Sequence, residues 1–395
     1  MVSEKARGIS PSPTLSIDSK FKEMKANGED VVGFGAGEPD FDTPQHIKDA
    51  AIAAIQAGKT KYTPAAGTLA LRKAVAEKFK RENGLDYKPT DIVVSNGAKH
   101  SLVNAFMAIC NPGDEVIIPA PYWVSYPEMV KIADGVPVIV NSTEQDNFKV
   151  TAEKLREAIT DKTRAIVLNS PSNPTGMVYT EEELREIAEL AVEKKIYVVS
   201  DEIYEHLIYE GKHVSIASFN DQIKDLTIVI NGVSKTYAMT GWRIGYAAAN
   251  SDIAKAMANI QSHASSNPNS IAQEATVAAL TGGYEEVDRM RRHFMKRRDF
   301  MVHYINSMEK ISCMEPHGAF YIMMNISQLI GEEFYGRVIR SSDDFAEVFL
   351  KVAKVAVVPG SGFGAENYVR WSYATSMDNI VEGLERLQKF LDRKY

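Results

Sequence analysis

The chain has 395 residues, 45% of them hydrophobic and 25% charged, which is enough for two ordinary domains with filled cores. A formal net charge of −7 and a pI near 5.7 argue against a general binder of nucleic acid or anionic membrane, so neither partner is expected and small molecules are the expected ligands. The beginning of the chain holds no apolar run like a signal-peptide core, and no stretch reaches bilayer-spanning length, so a cytoplasmic location is expected.

Six short runs rich in β-branched residues have the length of buried strands: Ile92 to Val94, Glu115 to Ile118, Pro137 to Val140, Ala165 to Leu168, Ile196 to Val199 and Thr227 to Ile230. Stretches with helical periodicity separate them. His100 to Ile109 reads as a helix after the first run. Thr180, with a carboxylate three residues on at Glu183, offers a capping box for an amphipathic segment reaching Lys195. Strands alternating with helices imply a mostly parallel sheet covered on both faces. Beyond about residue 285 the chain turns to long charged helical segments and separate strands at Ala319 to Met323 and Val355 to Val358, which predicts a smaller α+β domain. Cys110 and Cys313 are the only cysteines and are expected to be reduced thiols.

Open α/β sheets bind ligands at the carboxyl ends of their strands. Gly97 follows the first run, Asn173 the fourth, Asp201 the fifth and Lys235 the sixth. Lys235, in the segment NGVSKT with Ser234 before it, would be delivered into a crevice, where desolvation lowers its pKa and frees a neutral amine to attack an aldehyde. Alone, a lysine in that position is more often a surface residue. Arg243, eight residues on, suits a phosphate, although an ordinary salt bridge is its plainer reading. Asp201 ends an apolar run and needs a partner there; a pyridinium nitrogen would serve, and a helix N-cap is the alternative. Tyr204, placed on the same helical face, could donate to a phenolic oxygen or simply pack. The loop from Ser95 to Lys99 precedes a helix start, whose free N–H groups bind phosphate. Asn173, in the turn Ser170 to Gly176, could present its amide to a ligand.

Other patterns carry less. The glycines at 33, 35 and 37 and at 360, 362 and 364 lack the full dinucleotide-loop spacing. The eight histidines show no metal-ligand spacing, and no metal is expected. The basic cluster of Arg289, Arg291, Arg292, Lys296, Arg297 and Arg298 falls at helical spacing and is expected to be solvated or subunit-facing surface.

Taken in order, Ala36 to Pro44 (AGEPDFDTP), Lys61 to Pro64 (KYTP), Pro121 to Tyr126 (PYWVSY), Asn173 to Gly176 (NPTG), Ser200 to Tyr204 (SDEIY), Ser234-Lys235, Met239 to Gly245 (MTGWRIG) and Val369 to Thr375 (VRWSYAT) span nearly the whole chain. This set resembles the fold-type-I aminotransferases, specifically the bacterial aspartate aminotransferase subgroup Ib. The resemblance implies a large domain, residues 44–285, with a mostly parallel seven-stranded sheet covered by helices, and a smaller α+β domain built from residues 286–395 with the N-terminal segment 1–43. It implies pyridoxal 5′-phosphate as cofactor, held by Lys235 as a Schiff base, with Lys235 later moving the α-proton. Trp123 would stack on the ring, Asp201 would meet its nitrogen, and Asn173 and Tyr204 its phenolic oxygen. Arg243, Ser234 and the backbone from Gly97 through Ala98 and Lys99 would cradle the phosphate, joined by Tyr62 from a neighbouring subunit, so a homodimer is implied.

For the substrate, the resemblance assigns Arg370 to the α-carboxylate, assisted by Asn173, Trp123 and the backbone of Gly37. No arginine lies between Arg243 and Arg289, the region from which the better-known aspartate aminotransferases supply a distal-carboxylate arginine. In subgroup Ib a lysine takes that role; Lys99 matches it, with Thr14 in the N-terminal segment. The implied reaction is ping-pong transfer of the amino group between L-aspartate and 2-oxoglutarate. Prephenate as a further substrate, and a lyase on the same fold, are the alternatives. A cofactor-binding domain of a transcription regulator is disfavoured, because the forty or so residues before the main domain are too few for a DNA-binding domain.

Overall fold

The protein is described by a computed structural model covering residues 2–395. Seven strands form its main sheet: β1 (Ile92–Ser95), β2 (Glu115–Ala120), β3 (Val136–Asn141), β4 (Thr163–Asn169), β5 (Tyr197–Asp201), β6 (Thr227–Gly232) and β7 (Gly245–Ala248), in spatial order β1-β7-β6-β5-β4-β2-β3. All neighbouring pairs are parallel except those made by β7, which runs antiparallel to both β6 and β1. The six β-branched runs are all strands here. The seventh, Gly-Tyr-Ala-Ala, has no β-branched residue and escapes a propensity reading; it is a strand because it fills the slot between two others.

Alternation along the strands builds two apolar layers. Ile118, Val167, Val199 and Ile230 face one way, packing with α1 (Ala98–Ile109) and α3 (Ser251–Ala264). Ile117, Ile166 and Val198 face the other way, against Leu184 and Ile187 of α2 (Glu181–Lys194). The expected capping box opens α2: the Glu183 N–H donates to Thr180 Oγ1 at 3.2 Å and the Thr180 N–H to Glu183 Oε2 at 2.7 Å.

A second sheet is antiparallel throughout, with β8 (Ser312–Cys313), β9 (Tyr321–Asn325), β10 (Val358–Pro359) and β11 (Tyr368–Ser372) in the order β10-β11-β9-β8. The run at 319–323 becomes a strand two residues late, because Ala319 sits at φ 57°, outside extended backbone. The run at 355–358 divides: Val355–Ala356 pairs in parallel with Val32–Gly33, and β10 begins at Val358. Through that pairing the chain's early segment is stitched to its last third. Among the described residues no helix is long and apolar enough to cross a membrane.

The basic cluster corrects an expectation. Arg289, Arg292 and Lys296 are exposed on α4 (Glu285–Asn306), but Arg297 and Arg298 are buried, with 8% and 4% of their surface accessible. Arg297 makes a two-pronged bond to the Asp40 carboxylate at 2.7 and 2.9 Å, and Arg298 donates to Glu210 at 3.0 Å and to the Pro316 carbonyl at 2.9 Å. Partners far away in sequence make this burial possible, so helical spacing could not announce it.

Candidate active site

At the carboxyl ends of β1, β4, β5 and β6 a cavity of about 410 Å³ opens between the main sheet and the second sheet. Lys235, three residues past β6, is half-buried on its wall, and its ammonium donates to the Gly37 carbonyl. Desolvation brings its pKa down to about 8, against a smaller opposing pull from Glu38.

Asp201, the last residue of β5, lies on the same wall with 3% exposure. Among the described residues no cation touches it. Its Oδ2 accepts from the Tyr126 hydroxyl at 2.7 Å and its Oδ1 from the Ile203 N–H at 3.3 Å. Burial raises its pKa to about 6, with the Tyr126 bond acting in the opposite direction. Asp201 and Tyr204 were expected on one helical face, yet the chain between them is a turn; Tyr204 reaches the cavity from that turn.

Gly97 enters α1 at φ 86°, and a side chain there would collide with the Arg243 guanidinium. Ala98 and Lys99, in the first turn of the helix, line the cavity, as do Ser234 and Arg243. The N–H groups of Ala98 and Lys99 belong to the set that a helix leaves unpaired at its start. Arg243 is fixed by bonds to the carbonyls of Thr240 at 2.8 Å and Asn96 at 3.2 Å. The absence of a side chain at Gly245 lets β7 run directly beneath the backbone at Gly97 and Ala98.

Across the cavity, Arg370 on β11 is 2% exposed and donates to Asn173 Oδ1 at 2.9 Å and to the Gly35 carbonyl at 2.8 Å. Its Nε–H is buried without a hydrogen-bond partner among the described residues. Asn173 is oriented in turn: its N–H donates to Asn169 Oδ1 at 2.8 Å, while the Asn169 amide donates to the Asp201 carbonyl at 3.0 Å, tying two strand ends together. The Lys99 ammonium stands 4.8 Å from the centre of the Trp123 ring. Partial desolvation and then the Arg243 charge lower its pKa. Thr14, bonded to the Ser12 hydroxyl at 2.8 Å, closes the rim. Tyr62 is 91% exposed and stands away from the cavity of its own chain.

Tyr126, Tyr321 and Glu38 are among the lining residues that had no role in the sequence reading. Tyr126 and Glu38 sit inside motifs quoted for the resemblance, and Tyr321 inside a predicted strand, so each was visible without its contacts being so. His206 and His213 also meet carboxylates, with Glu82 and Glu205 and with Glu202 and Glu205 respectively, grouping that linear spacing concealed. The buried ammonium of Lys78 already serves Glu205 as its cation.

Comparison with known proteins fits this geometry. The profile of the aminotransferase class I and II family matches residues 29–387. The chain belongs to that family. It is 52% identical over 392 residues to the aspartate aminotransferase of Bacillus sp. strain YM-2, covering 99% of each chain. It is 48% identical over 394 residues to the aspartate/prephenate aminotransferase of Nitrosomonas europaea, again covering 99% of each. The crystal structure of the aspartate aminotransferase from Rhizobium meliloti superposes with a TM-score of 0.96 at 44% identity, covering 100% of this chain and 99% of that one. A half-buried amine, a buried carboxylate and a buried guanidinium around one cavity are groups of the kinds that an aminotransferase uses for bond-making, charge balance and substrate orientation.

Proposed function

We propose that this aminotransferase exchanges the amino group between L-aspartate and 2-oxoglutarate, with pyridoxal 5′-phosphate as cofactor, in a ping-pong cycle at one site. The convergence of Lys235, Asp201 and Arg370 on a single cavity carries the reading. The residues present fit the cofactor. Ala98, Lys99, Ser234 and Arg243 would hold its phosphate, and the crowding at Gly97 leaves backbone alone to face it. Trp123 offers a ring face, Asp201 a carboxylate for the ring nitrogen, and Asn173 with Tyr204 polar groups for the phenolic oxygen. When bound, the cofactor supplies an electron sink for the pair left when the substrate's Cα–H bond breaks.

The chain's own residues do the rest. With a pKa of about 8, roughly one Lys235 in ten is neutral at pH 7, against far fewer for an unperturbed lysine. The neutral amine is the form that would hold the cofactor and that, when free of it, would carry the α-proton. Arg370 spends two of its five N–H donors on Asn173 and Gly35 and keeps the others for the α-carboxylate. Lys99 and Thr14, on the opposite rim, take the distal carboxylate. Holding a dicarboxylate at both ends would fix its orientation in the cavity and so select which bond breaks.

Incubating the cofactor-loaded enzyme with aspartate and 2-oxoglutarate should yield glutamate and oxaloacetate. Release of pyruvate or ammonia with no glutamate would instead indicate a lyase and sink the reading. A second substrate, prephenate, is favoured by the relative named for it and by a lysine at position 99, which is less demanding in geometry than an arginine fork. Glutamate-dependent amination of prephenate tests that extension. The same proposal includes a large domain at 44–285 and a small one at 1–43 with 286–395, a division supported by the two sheets falling in separate segments. It includes a homodimer, supported by Tyr62, Ile52 and Ile55 standing 91%, 50% and 55% exposed. It also includes a cytoplasmic location, which suits two free cysteines.

A further inference from the structure

Tyr321, on β9 of the second sheet, belongs to neither the cofactor cradle nor the substrate clamp, yet it touches members of both. Its hydroxyl lies 2.8 Å from that of Tyr204, and the two rings meet edge to face at 5.9 Å. Its ring face lies 4.4 Å from the Arg370 guanidinium, within cation–π range. Any side chain at position 37 would begin 2.9 Å from the Tyr321 hydroxyl, so the segment that receives the Lys235 hydrogen bond is shaped around this phenol. All of this happens in a sealed environment: Tyr321 is 0% and Tyr204 3% exposed.

We propose that Tyr321 is a positioning residue that turns the Tyr204 proton toward the cavity while supporting the Arg370 clamp, and so couples the two ends of the site. The inference rests on the proposed cofactor reading, in which Tyr204 donates to the ring's phenolic oxygen. A phenol has one proton and accepts with its lone pairs. If the Tyr204 proton points into the cavity, the 2.8 Å bond between the hydroxyls runs from Tyr321 to Tyr204. Accepting that bond polarises Tyr204 and strengthens it as a donor. A stronger donor beside the phenolic oxygen stabilises negative charge there and favours the deprotonated nitrogen at Lys235. The Tyr321 ring does separate work, since it backs a buried guanidinium whose Nε–H has no hydrogen-bond partner among the described residues.

The two functions separate by substitution. Tyr321→Phe keeps the ring under Arg370 and removes the proton; Tyr321→Leu removes both. In the cofactor-loaded enzyme without substrate, the pH midpoint of the visible absorption band should move up by roughly half a unit in both variants. The KM for aspartate should stay within about twofold in Tyr321→Phe and rise about fivefold to tenfold in Tyr321→Leu. In a Tyr204→Phe background, Tyr321→Phe should add no further spectral shift, which a general loosening of the fold would not reproduce. A Tyr321→Phe midpoint equal to that of the parent enzyme overturns the proton-orienting role. Equal KM values in Tyr321→Phe and Tyr321→Leu overturn the clamp-supporting role. A parent enzyme that shows no visible band with pyridoxal phosphate overturns the cofactor reading, and this inference falls with it.

Discussion

Tyr126 donates to Oδ2 of Asp201 at 2.7 Å with both side chains sealed from solvent, so the buried carboxylate has a neutral phenol as its partner in place of a cation. The neutral bonds from Tyr126 and the Ile203 N–H do not offset desolvation, and the Asp201 pKa settles at about 6 against an ordinary 3.8. The folded chain therefore binds a proton more tightly than the unfolded chain between those two values. In the cofactor-free protein, the Asp201 contribution becomes less favourable as pH rises from about 4 to about 6, and costs on the order of 3 kcal/mol above that window. Asp201→Asn should lack this loss. Denaturant midpoints of the two proteins at pH 4.5 and pH 7 check it; parallel changes would refute the assignment. On the proposed reading the ranking should reverse with cofactor bound, because the ring nitrogen would give the carboxylate a cationic partner.

Lys235→Ala should lose the covalent link to the cofactor, and its visible band should be absent until an exogenous amine is added. A persistent band of the parent type would place the attachment on another residue.

For Lys99→Ala, the KM for aspartate should rise about 10- to 100-fold, the worth of one charge-assisted hydrogen bond. A neutral amino acid should lose little. Steady-state kinetics on both donors test this, and equal losses would remove Lys99 from the distal-carboxylate site.

Gly97→Ala should weaken cofactor affinity by about tenfold or more, since φ 86° strains an L-residue and the added methyl pushes against the Arg243 guanidinium. Equilibrium titration of the cofactor-free variant measures it.

Arg297→Leu should destabilise the fold by about 2 kcal/mol in chemical denaturation. The variant leaves Asp40 without its two-pronged partner and removes the guanidinium stacked 5.0 Å from the Phe41 ring. Lysine should rescue this only partly, because it cannot form the fork.

Much of the site was legible because a parallel sheet turns linear order into spatial convergence. Gly97, Asn173, Asp201 and Lys235 all follow strands that propensity finds, and strand ends on one edge of a sheet must be neighbours. Tyr126, Tyr321 and the buried pair Arg297 and Arg298 follow no such rule. Each owes its role to a residue on a different element, Asp201, Tyr204, Asp40 and Glu210 respectively, and pairwise meetings of that kind leave no local periodicity. Likewise β7 (Gly245–Ala248) is a strand through its neighbours rather than through its own residues.

Arg370 stands on the second sheet, whereas Lys99 stands on the helix that follows the first strand of the main one. On the proposed reading, a dicarboxylate gripped by both would be a crossbar between two independently packed layers, and the accepted substrate length would be set by the spacing of those layers. Substitutions at the seam between the sheets, touching no ligand, would then retune which chain length is accepted, much as moving one jaw of a caliper changes what it holds.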